Sequence, residues 1–292
     1  MMTPFVLLDG KEASKAWKEA IRLKVVLGLE KNKHRPHLAA ILVGDDPASN
    51  AYVAGKIKDC EEVGFKSTLV RFPSDVQQEE LLEAIDALNR RKDVNGYIVQ
   101  LPLPPHIDQK RILLAIDPKK DVDGFHPENV GRMALNLPAF IPATPLGVLL
   151  LMKHYSIQTE GKHVVVVGRS HIVGSPMSIL LSQNNAFGNA TVTLVHSKTK
   201  NASNFTREAD ILIAAIGKPK FITADMVKPG AVVIDVGINR MEIDGKSRLI
   251  GDVDFDGVKE IASAITPVPG GVGLMTRIGL LMNTLNATHE TR

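Results

Sequence analysis

Cysteine is nearly absent from this sequence: Cys60 is the only one in 292 residues. A single cysteine cannot form a disulfide within the chain, and it supplies too few thiolates for a cysteine-ligated metal cluster. The zinc-protease motif H-E-x-x-H and the esterase motif G-x-S-x-G are also missing. Their absence removes support for metal-dependent hydrolysis and for a serine nucleophile on a strand-to-helix turn. We therefore expect no metal site.

Aromatic residues make up only 4% of the sequence, and the formal net charge is only +3, with basic and acidic residues scattered along the chain. Nucleic-acid-binding proteins usually concentrate Lys and Arg on one face, and many stack bases on aromatic rings. The composition thus favours a small anionic ligand and predicts no nucleic-acid partner.

Long apolar runs are missing as well. The longest, from Leu146 to Met152, is far shorter than the roughly 20 residues that span a bilayer. The first residues, MMTPFVLLDGKEASK, lack the charged start of a secretion signal and the Arg-rich pattern of a transit peptide. We expect a cytoplasmic protein with no membrane partner.

The length and the 44% content of hydrophobic residues predict a large buried interior. A chain of 292 residues exceeds the size at which one core usually keeps growing, so two domains are expected. We place the boundary in the proline-rich segment 136–145, which is a stiff connection. The prediction assigns residues 1–145 and a C-terminal helix within 274–292 to the first domain, and residues 146–273 to the second.

Apolar spacing and turn residues predict alternating strands and helices in both halves. The first half has the order β-α-β-α-β, which indicates a parallel sheet. Expected strands are 38–43, 68–72 and 96–101, and expected helices are 12–30, 77–90, 109–115 and one from a cap at Ser49 or Asn50 to Gly64. In the second half, expected strands are 163–168, 191–196, 211–216 and 231–236, and expected helices are 146–154 capped by Thr144, 176–184, 203–209 and a last one ending near Ala287.

The segment His163–Pro176 is the most informative stretch of the second half. Four consecutive valines suit a strand buried on both faces of a parallel sheet, and Gly168 and Gly174 follow before a helical pattern. Such a turn lets a phosphate approach backbone N–H groups at a helix N-terminus. The segment predicts a Rossmann-type dinucleotide site, although two glycines can also serve a purely structural turn.

The type of dinucleotide follows from the residues around the second Rossmann strand. An acidic residue at its end usually accepts the 2′-hydroxyl of NAD, but this chain has Ser197 and Lys198 there, with Arg169 directly after Gly168. Hydrogen-bond donors and positive charges at this position, with no acidic residue, favour binding of the 2′-phosphate of NADP over the 2′-hydroxyl of NAD. The alternative is a polar turn with solvated basic side chains.

Candidate catalytic side chains are found in the first half. Tyr52 and Lys56 are four residues apart and share one face of a helix, where a ring could stack on a substrate and a buried amine could act in acid–base chemistry. A lysine whose stem merely covers apolar surface is the alternative. Gln100 ends a strand and could bind the amine or simply be solvated. Asp121 and Asp123 flank a turn in which either could accept backbone N–H bonds as an Asx-turn, and Asp123 could instead bind a ligand.

Taken together, these segments resemble the bifunctional methylenetetrahydrofolate dehydrogenase/cyclohydrolase family. The motifs that carry the resemblance occur in the family's order and span nearly the whole chain. They are Tyr52-Val-Ala-Gly-Lys56, Val99-Gln-Leu-Pro-Leu-Pro104, Lys120-Asp-Val-Asp-Gly-Phe125, Pro142-Ala-Thr-Pro145, Gly168-Arg-Ser-His-Ile-Val-Gly174 and Pro267-Val-Pro-Gly-Gly-Val-Gly273.

The resemblance implies an α/β protein with an N-terminal substrate and catalytic domain, a Rossmann-type NADP-binding domain and a cleft between them. It implies oxidation of methylenetetrahydrofolate with NADP, hydration of the methenyl product to 10-formyltetrahydrofolate, and a homodimer. The family's catalytic residues correspond to Lys56, Gln100, Asp123 and Tyr52. In the family, the lysine assists hydration and the glutamine hydrogen-bonds and tunes that lysine. The aspartate holds the pterin ring, and the tyrosine stacks on the substrate. The implied cofactor contacts are Gly168, Arg169, Ser170, Ile172, Val173, Gly174, Ser197 and Ile238, and the further substrate contacts are Val99, Leu101, Pro269, Gly270 and Gly271.

Two positions depart from the family pattern. Leu274 replaces a proline that commonly precedes Met-Thr, and Ala143 replaces a frequent cysteine. We expect the first change to alter loop stiffness and the second to matter little, because a lysine mechanism needs no thiol. Two other readings stay open at this point: a monofunctional dehydrogenase with weak cyclohydrolase activity, and a non-catalytic nucleotide-binding protein.

Overall fold

A computed structural model describes residues 5–31, 34–243 and 246–288. The chain divides into two compact units. The six-stranded unit contains the described residues up to Ser14 together with Thr144–Thr276, and the three-stranded unit contains Lys15–Ala143 and the described residues from Arg277 onward. Each unit is built on a sheet of parallel strands with helices between them, so the predicted α/β class is confirmed.

The six-stranded unit is built on a parallel sheet with strand order β1-β11-β8-β7-β5-β6. The apolar runs of its inner strands explain this arrangement: the valines of β5 from Val164 to Val167 are at most 2% exposed, as expected for a strand covered on both faces. The strands are β1 (Val6–Leu7), β5 (His163–Val167), β6 (Thr191–Val195), β7 (Ile211–Ala214), β8 (Val232–Asp235) and β11 (Ala264–Ile265).

Short helices connect these strands, and an antiparallel hairpin follows β8. The helices are α7 (Gly174–Ser182), α8 (Ala202–Thr206) and α9 (Phe255–Val258), with a 3₁₀ turn at Ala224–Met226, and the hairpin pairs β9 (Asn239–Ile243) with β10 (Lys246–Ile250). The hairpin was not among the predicted elements. The sequence signal for it was the alternation of Arg240, Met241, Glu242 and Ile243 followed by Asp-Gly, a dipeptide typical of hairpin turns.

The three-stranded unit has the parallel order β3-β2-β4, with β2 (His37–Val43) in the centre, β3 (Lys66–Phe72) on one side and β4 (Gly96–Val99) on the other. Every residue of β2 is buried, whereas β3 at the edge is mostly half-buried. The helices of this unit are α2 (Pro47–Val63), α3 (Gln78–Arg90), α4 (Gln109–Ala115) and α5 (Pro127–Ala134). Three helices contain residues of both units: α1 (Gly10–Glu30), α6 (Ala143–His154) and α10 (Val272–Ala287).

Several element boundaries differ from the predicted ones. Helix α2 begins at Pro47 and is capped by Asp46, whose carboxylate accepts from Ser49 N at 2.7 Å; the predicted cap at Ser49 or Asn50 is wrong, because proline at the first helical position extends the helix backwards. Gly64 ends it with φ +81°, as predicted. Helix α6 starts at Ala143, so Thr144 lies inside it.

The predicted domain division stays a prediction, and the compact units differ from it at the N-terminus. Residues up to Ser14 group with the six-stranded unit because β1 pairs with β11, matching Val6 with Ala264 and Leu7 with Ile265. A strand of two residues gives too short an apolar pattern to be predicted from the sequence. Within the described ranges, no helix has the length and apolar character needed to cross a membrane.

Candidate active site

Lys56 and Gln100 are brought together by neighbouring elements of the three-stranded unit. Lys56 lies on α2, and its Nζ donates to Gln100 Oε1 at 3.1 Å. Gln100 directly follows β4, and its own Nε2 donates to Leu101 O at 2.7 Å. This second bond orients the side-chain amide so that its oxygen faces the lysine, because an amide presents its acceptor and its donors on different atoms. Gln100 is thus a bound partner of the amine rather than a solvated loop residue.

The acidic turn after α4 separates a structural aspartate from a functional candidate. Asp121 is 2% exposed, and its carboxylate accepts from Gly124 N at 3.2 Å, His126 N at 2.7 Å and Asn129 Nδ2 at 3.0 Å. These bonds hold the turn, although burial still raises the pKa of Asp121 to about 6. The Asx-turn role considered for Asp123 therefore belongs to Asp121.

Lys56 and Asp123 influence each other's protonation. Burial lowers the pKa of Lys56, the negative charge of Asp123 raises it in part, and the positive charge of Arg277 lowers it further. Burial likewise raises the pKa of Asp123, while Lys56 opposes that shift. Burial is the largest cause for both groups, because removal from water disfavours whichever form is charged. The charged form of each group is therefore less favourable here than in water, and each charge partly offsets that effect on the other.

Tyr52 completes one face of α2. It lies one turn before Lys56, and 40% of its surface is exposed, so its ring is available to a planar ligand. Val99 is buried and Leu101 is half-buried on either side of Gln100. The remaining predicted substrate contacts, Pro269, Gly270 and Gly271, belong to the six-stranded unit.

In the six-stranded unit, Gly168 and Gly174 form a cradle that side chains would fill. Gly168 follows β5 with φ +121°, and a Cβ there would lie 2.1 Å from Ala215 O. A Cβ on Gly174, the first residue of α7, would lie 2.0 Å from Gly168 O. Both glycines are thus needed for close backbone packing at the carboxyl end of a central strand, which is where nucleotides bind to open parallel sheets. The geometry fits a dinucleotide phosphate.

The other predicted cofactor residues surround this cradle. Ser170 Oγ accepts from Val173 N at 3.2 Å and from Gly174 N at 3.4 Å, which holds the loop before α7. Arg169 and Ser197 are exposed at the ends of β5 and β6. Ile172 and Ile238 expose 48% and 44% of their surface, so both side chains are accessible to a ligand.

Two groups of functional candidates were missed by sequence reasoning. The carboxylate of Asp252 accepts from Ile216 N at 2.7 Å, Gly217 N at 2.8 Å and Lys218 N at 2.9 Å, and so fixes the loop after β7. In the other unit, Asp59 is 2% exposed and lies 2.9 Å from Arg277. The available signal for Asp59 was a carboxylate among apolar positions of a helix, since charged residues are rarely buried without a partner.

Comparison with known families matches both halves of the chain. Residues 8–123 match the catalytic domain of tetrahydrofolate dehydrogenase/cyclohydrolase, and residues 142–292 match the NAD(P)-binding domain of the same family. The first match contains Tyr52, Lys56, Gln100 and Asp123, and the second contains the Gly168 loop. The chain therefore combines both domains in the order that its motifs predict.

Individual relatives are similar over almost the full length. The bifunctional protein FolD of Cytophaga hutchinsonii is 58% identical over 284 residues, which cover 96% of this chain and 98% of that protein. The solved FolD structure from Campylobacter jejuni, a methylenetetrahydrofolate dehydrogenase/cyclohydrolase, has a TM-score of 0.92 at 48% identity, covering 99% of this chain and 100% of that one. The Trypanosoma brucei enzyme, complexed with NADP and an inhibitor, has a TM-score of 0.93 at 37% identity over 99% of both chains.

Proposed function

This chain belongs to the tetrahydrofolate dehydrogenase/cyclohydrolase family, and from that premise we propose that Lys56 is the acid–base group of its hydration step. The enzyme is bifunctional: it oxidises 5,10-methylenetetrahydrofolate to the 5,10-methenyl form with NADP and hydrolyses that product to 10-formyltetrahydrofolate. The predicted family, activities and cofactor are confirmed. NADP, when bound, supplies the hydride acceptor.

The observation that carries the proposal is the hydrogen bond from Lys56 to Gln100. The amine that makes this bond is also under the influence of the charge of Asp123. Hydration of a methenyl cation requires a group that removes a proton from the attacking water and returns one as the ring opens. An uncharged amine can accept the proton from water, and the ammonium that forms can then return it. The lowered pKa of Lys56 increases the uncharged fraction near neutral pH, and a cationic substrate beside the amine would increase it again.

Neighbouring side chains would orient the substrate around this amine. We assign the face of Tyr52 to stacking on the pterin and the carboxylate of Asp123 to hydrogen bonds with it, because a carboxylate accepts from N–H groups. Gln100 keeps the lysine in place through the bond that Leu101 O supports from its other end. Val99, Leu101, Pro269, Gly270 and Gly271 are proposed as further substrate contacts.

The residues that would hold NADP follow from the cradle. The loop from Gly168 to Gly174 would bind the phosphates at the start of α7 with its remaining backbone N–H groups, because those of Gly168, Val173 and Gly174 already donate within the protein. Arg169 and Ser197 would bind the 2′-phosphate, since neither is acidic and both are exposed at strand ends. Ile172, Val173 and Ile238 would provide the apolar contacts.

Replacement of Lys56 tests the proposal. We expect Lys56→Met to lower the cyclohydrolase kcat by about 100-fold or more, the usual contribution of an acid–base group, while NADP binding is retained. The measurement is the loss of methenyltetrahydrofolate absorbance without NADP. Lys58→Met is the matched control, because Lys58 is on the same helix, its side chain is 75% exposed, and residues two apart do not share a helix face.

Normal hydration in Lys56→Met would refute the lysine assignment. A coupled assay with methylenetetrahydrofolate and NADP gives the ratio of the two activities: NADPH with accumulating methenyl product would indicate a dehydrogenase with weak cyclohydrolase activity. The homodimer, the cytoplasmic location and the absence of nucleic-acid or membrane partners are expected from the resemblance and composition, and they stay predictions. Light scattering of the purified enzyme tests the homodimer.

A further inference from the structure

An ion-pair network connects three helices of the three-stranded unit next to Lys56. Asp59, one turn after Lys56 on α2, is 2% exposed and pairs through Oδ1 with Lys18 of α1. Its Oδ2 lies 2.9 Å from Nε of Arg277 on α10, an ion pair without hydrogen-bond geometry. Lys18 also contacts Glu62 Oε2 at 2.7 Å. A buried carboxylate between two cations holds both side chains in place, because leaving either charge unpaired would be costly.

Gly55 provides the space that the arginine occupies. A Cβ on Gly55 would lie 2.3 Å from Nη1 and 3.4 Å from Cζ of Arg277, so the guanidinium lies against the backbone of α2 at the residue before Lys56. Glycine within a helix costs about 0.5–1 kcal/mol relative to alanine. The contact with Arg277 gives that glycine a physical purpose.

The position of Arg277 places a fixed cation beside the reactive amine. The other groups that face Lys56 are Gln100, which accepts its hydrogen bond, and Asp123, whose charge attracts it. Asp59 is paired with two cations, Lys18 and Arg277. Their positive charges offset its negative charge, so its electrostatic effect on Lys56 is small. Arg277 thus opposes Asp123, and it lowers the pKa of Lys56 beyond the effect of burial.

We propose that Arg277, anchored by Asp59 and accommodated by Gly55, is a positioning residue of the cyclohydrolase reaction whose fixed positive charge beside Lys56 offsets the negative charge of Asp123. The proposal rests on the role of Lys56 proposed above. It adds a device that the motif residues do not contain: α10 supplies a positive charge that offsets the carboxylate required for substrate binding. Without it, Asp123 would stabilise the ammonium form, which cannot accept a proton.

The pH dependence of the cyclohydrolase reaction tests this inference, since the assay needs no cofactor. We expect the acid limb of the kcat profile to move to higher pH by about half to one unit in Arg277→Gln, because removal of a nearby cation raises the pKa of an amine. The limiting rate at high pH should change by less than about threefold. Arg277→Lys retains the charge and should restore the wild-type limb.

Gly55→Ala is a second variant that keeps the arginine. Its Cβ would push the guanidinium aside, so we expect a smaller shift in the same direction. The helix preference of alanine and the weakened pair with Asp59 act on thermal stability in opposite directions. Gly131→Ala is the matched control: Gly131 lies in α5, and a Cβ there would meet nothing within 4 Å, so its limb should not move.

A limb that stays fixed in both Arg277→Gln and Gly55→Ala would overturn the inference, as would a lower limiting rate with no shift. Either result would leave the role of Lys56 untouched, because that role is tested separately by Lys56→Met. Conversely, normal hydration in Lys56→Met would refute the proposed function itself.

Discussion

The Lys56 site and the Gly168 loop differ in what they are made of: the first consists of side chains, and the second mainly of backbone. Around Lys56 the three-stranded unit gathers side chains whose protonation is shifted by burial and by one another. Around Gly168 the six-stranded unit uses glycines because backbone segments approach each other too closely there for a side chain. Proton transfer requires a group of adjusted pKa, whereas phosphate binding requires several N–H groups in fixed positions. The Lys56 site should therefore be most sensitive to the loss of a charged side chain, and the Gly168 loop to the addition of a side chain at glycine.

Glycines in the two regions make this contrast measurable. A Cβ at Gly168 or Gly174 would meet a backbone oxygen, whereas a Cβ at Gly55 would meet the end of a flexible side chain. A backbone atom cannot move without distorting the sheet, but an arginine side chain can rotate away. The same chemical change should therefore be severe in one unit and mild in the other.

The largest expected effect is that of Gly168→Ala. The change combines a positive φ, worth about 1–3 kcal/mol for other residues, with a contact of 2.1 Å to Ala215 O. We expect the KM for NADP to rise by about tenfold or more, equivalent to at least ~1.4 kcal/mol, while the cyclohydrolase kcat stays within about twofold. Steady-state kinetics of both reactions measure this separation.

Gly161→Ala separates strain from contact in that experiment. Gly161 also has a positive φ, +70°, but a Cβ there would meet nothing within 4 Å. It should reduce stability without raising the KM for NADP. Equal loss of both activities in Gly168→Ala would break the comparison, because the two sites would then depend on each other.

A smaller effect is expected from Arg169→Ala, which leaves the cradle intact and removes only the proposed contact with the 2′-phosphate. Loss of a charge-assisted hydrogen bond, about 1.5–3 kcal/mol, corresponds to a rise of about tenfold or more in the KM for NADP. The KM for NAD should change far less, because NAD lacks that phosphate. Dehydrogenase kinetics with NADP and with NAD measure the two KM values. Equal changes in both KM values would rule out a contact between Arg169 and the 2′-phosphate.

The smallest effect is expected where neither site is touched. Leu274 lies in the first turn of α10, and its N–H donates only a long bond of 3.3 Å to Gly271 O. Proline is tolerated in a first turn, so Leu274→Pro should change the free energy of unfolding by less than about 1 kcal/mol. Thermal denaturation measures this. A large loss of either activity would mean that this loop is coupled to the chemistry.

Much of the architecture could be predicted from the sequence because it depends on local patterns. The valines before Gly168 predicted a buried strand, and Gly64 predicted a left-handed helix end, which the structure contains. The cap of α2 was misplaced, although Pro47 directly after Asp46 was a sequence signal for a helix that starts there. Strand β1 was missed because two residues owe their conformation entirely to pairing with β11.

The sequence by itself determined the order of the longer strands and helices, the need for glycine at Gly168, and the residues that match the family's motifs. These features depend on periodicity, turn chemistry and spacing, which are written along the chain. Tertiary structure alone decided that Asp121 rather than Asp123 holds the acidic turn and that Arg277 lies against Gly55. The physical reason is that hydrogen bonds, burial and charge act through space, so the state of Lys56 depends on residues far from it in sequence.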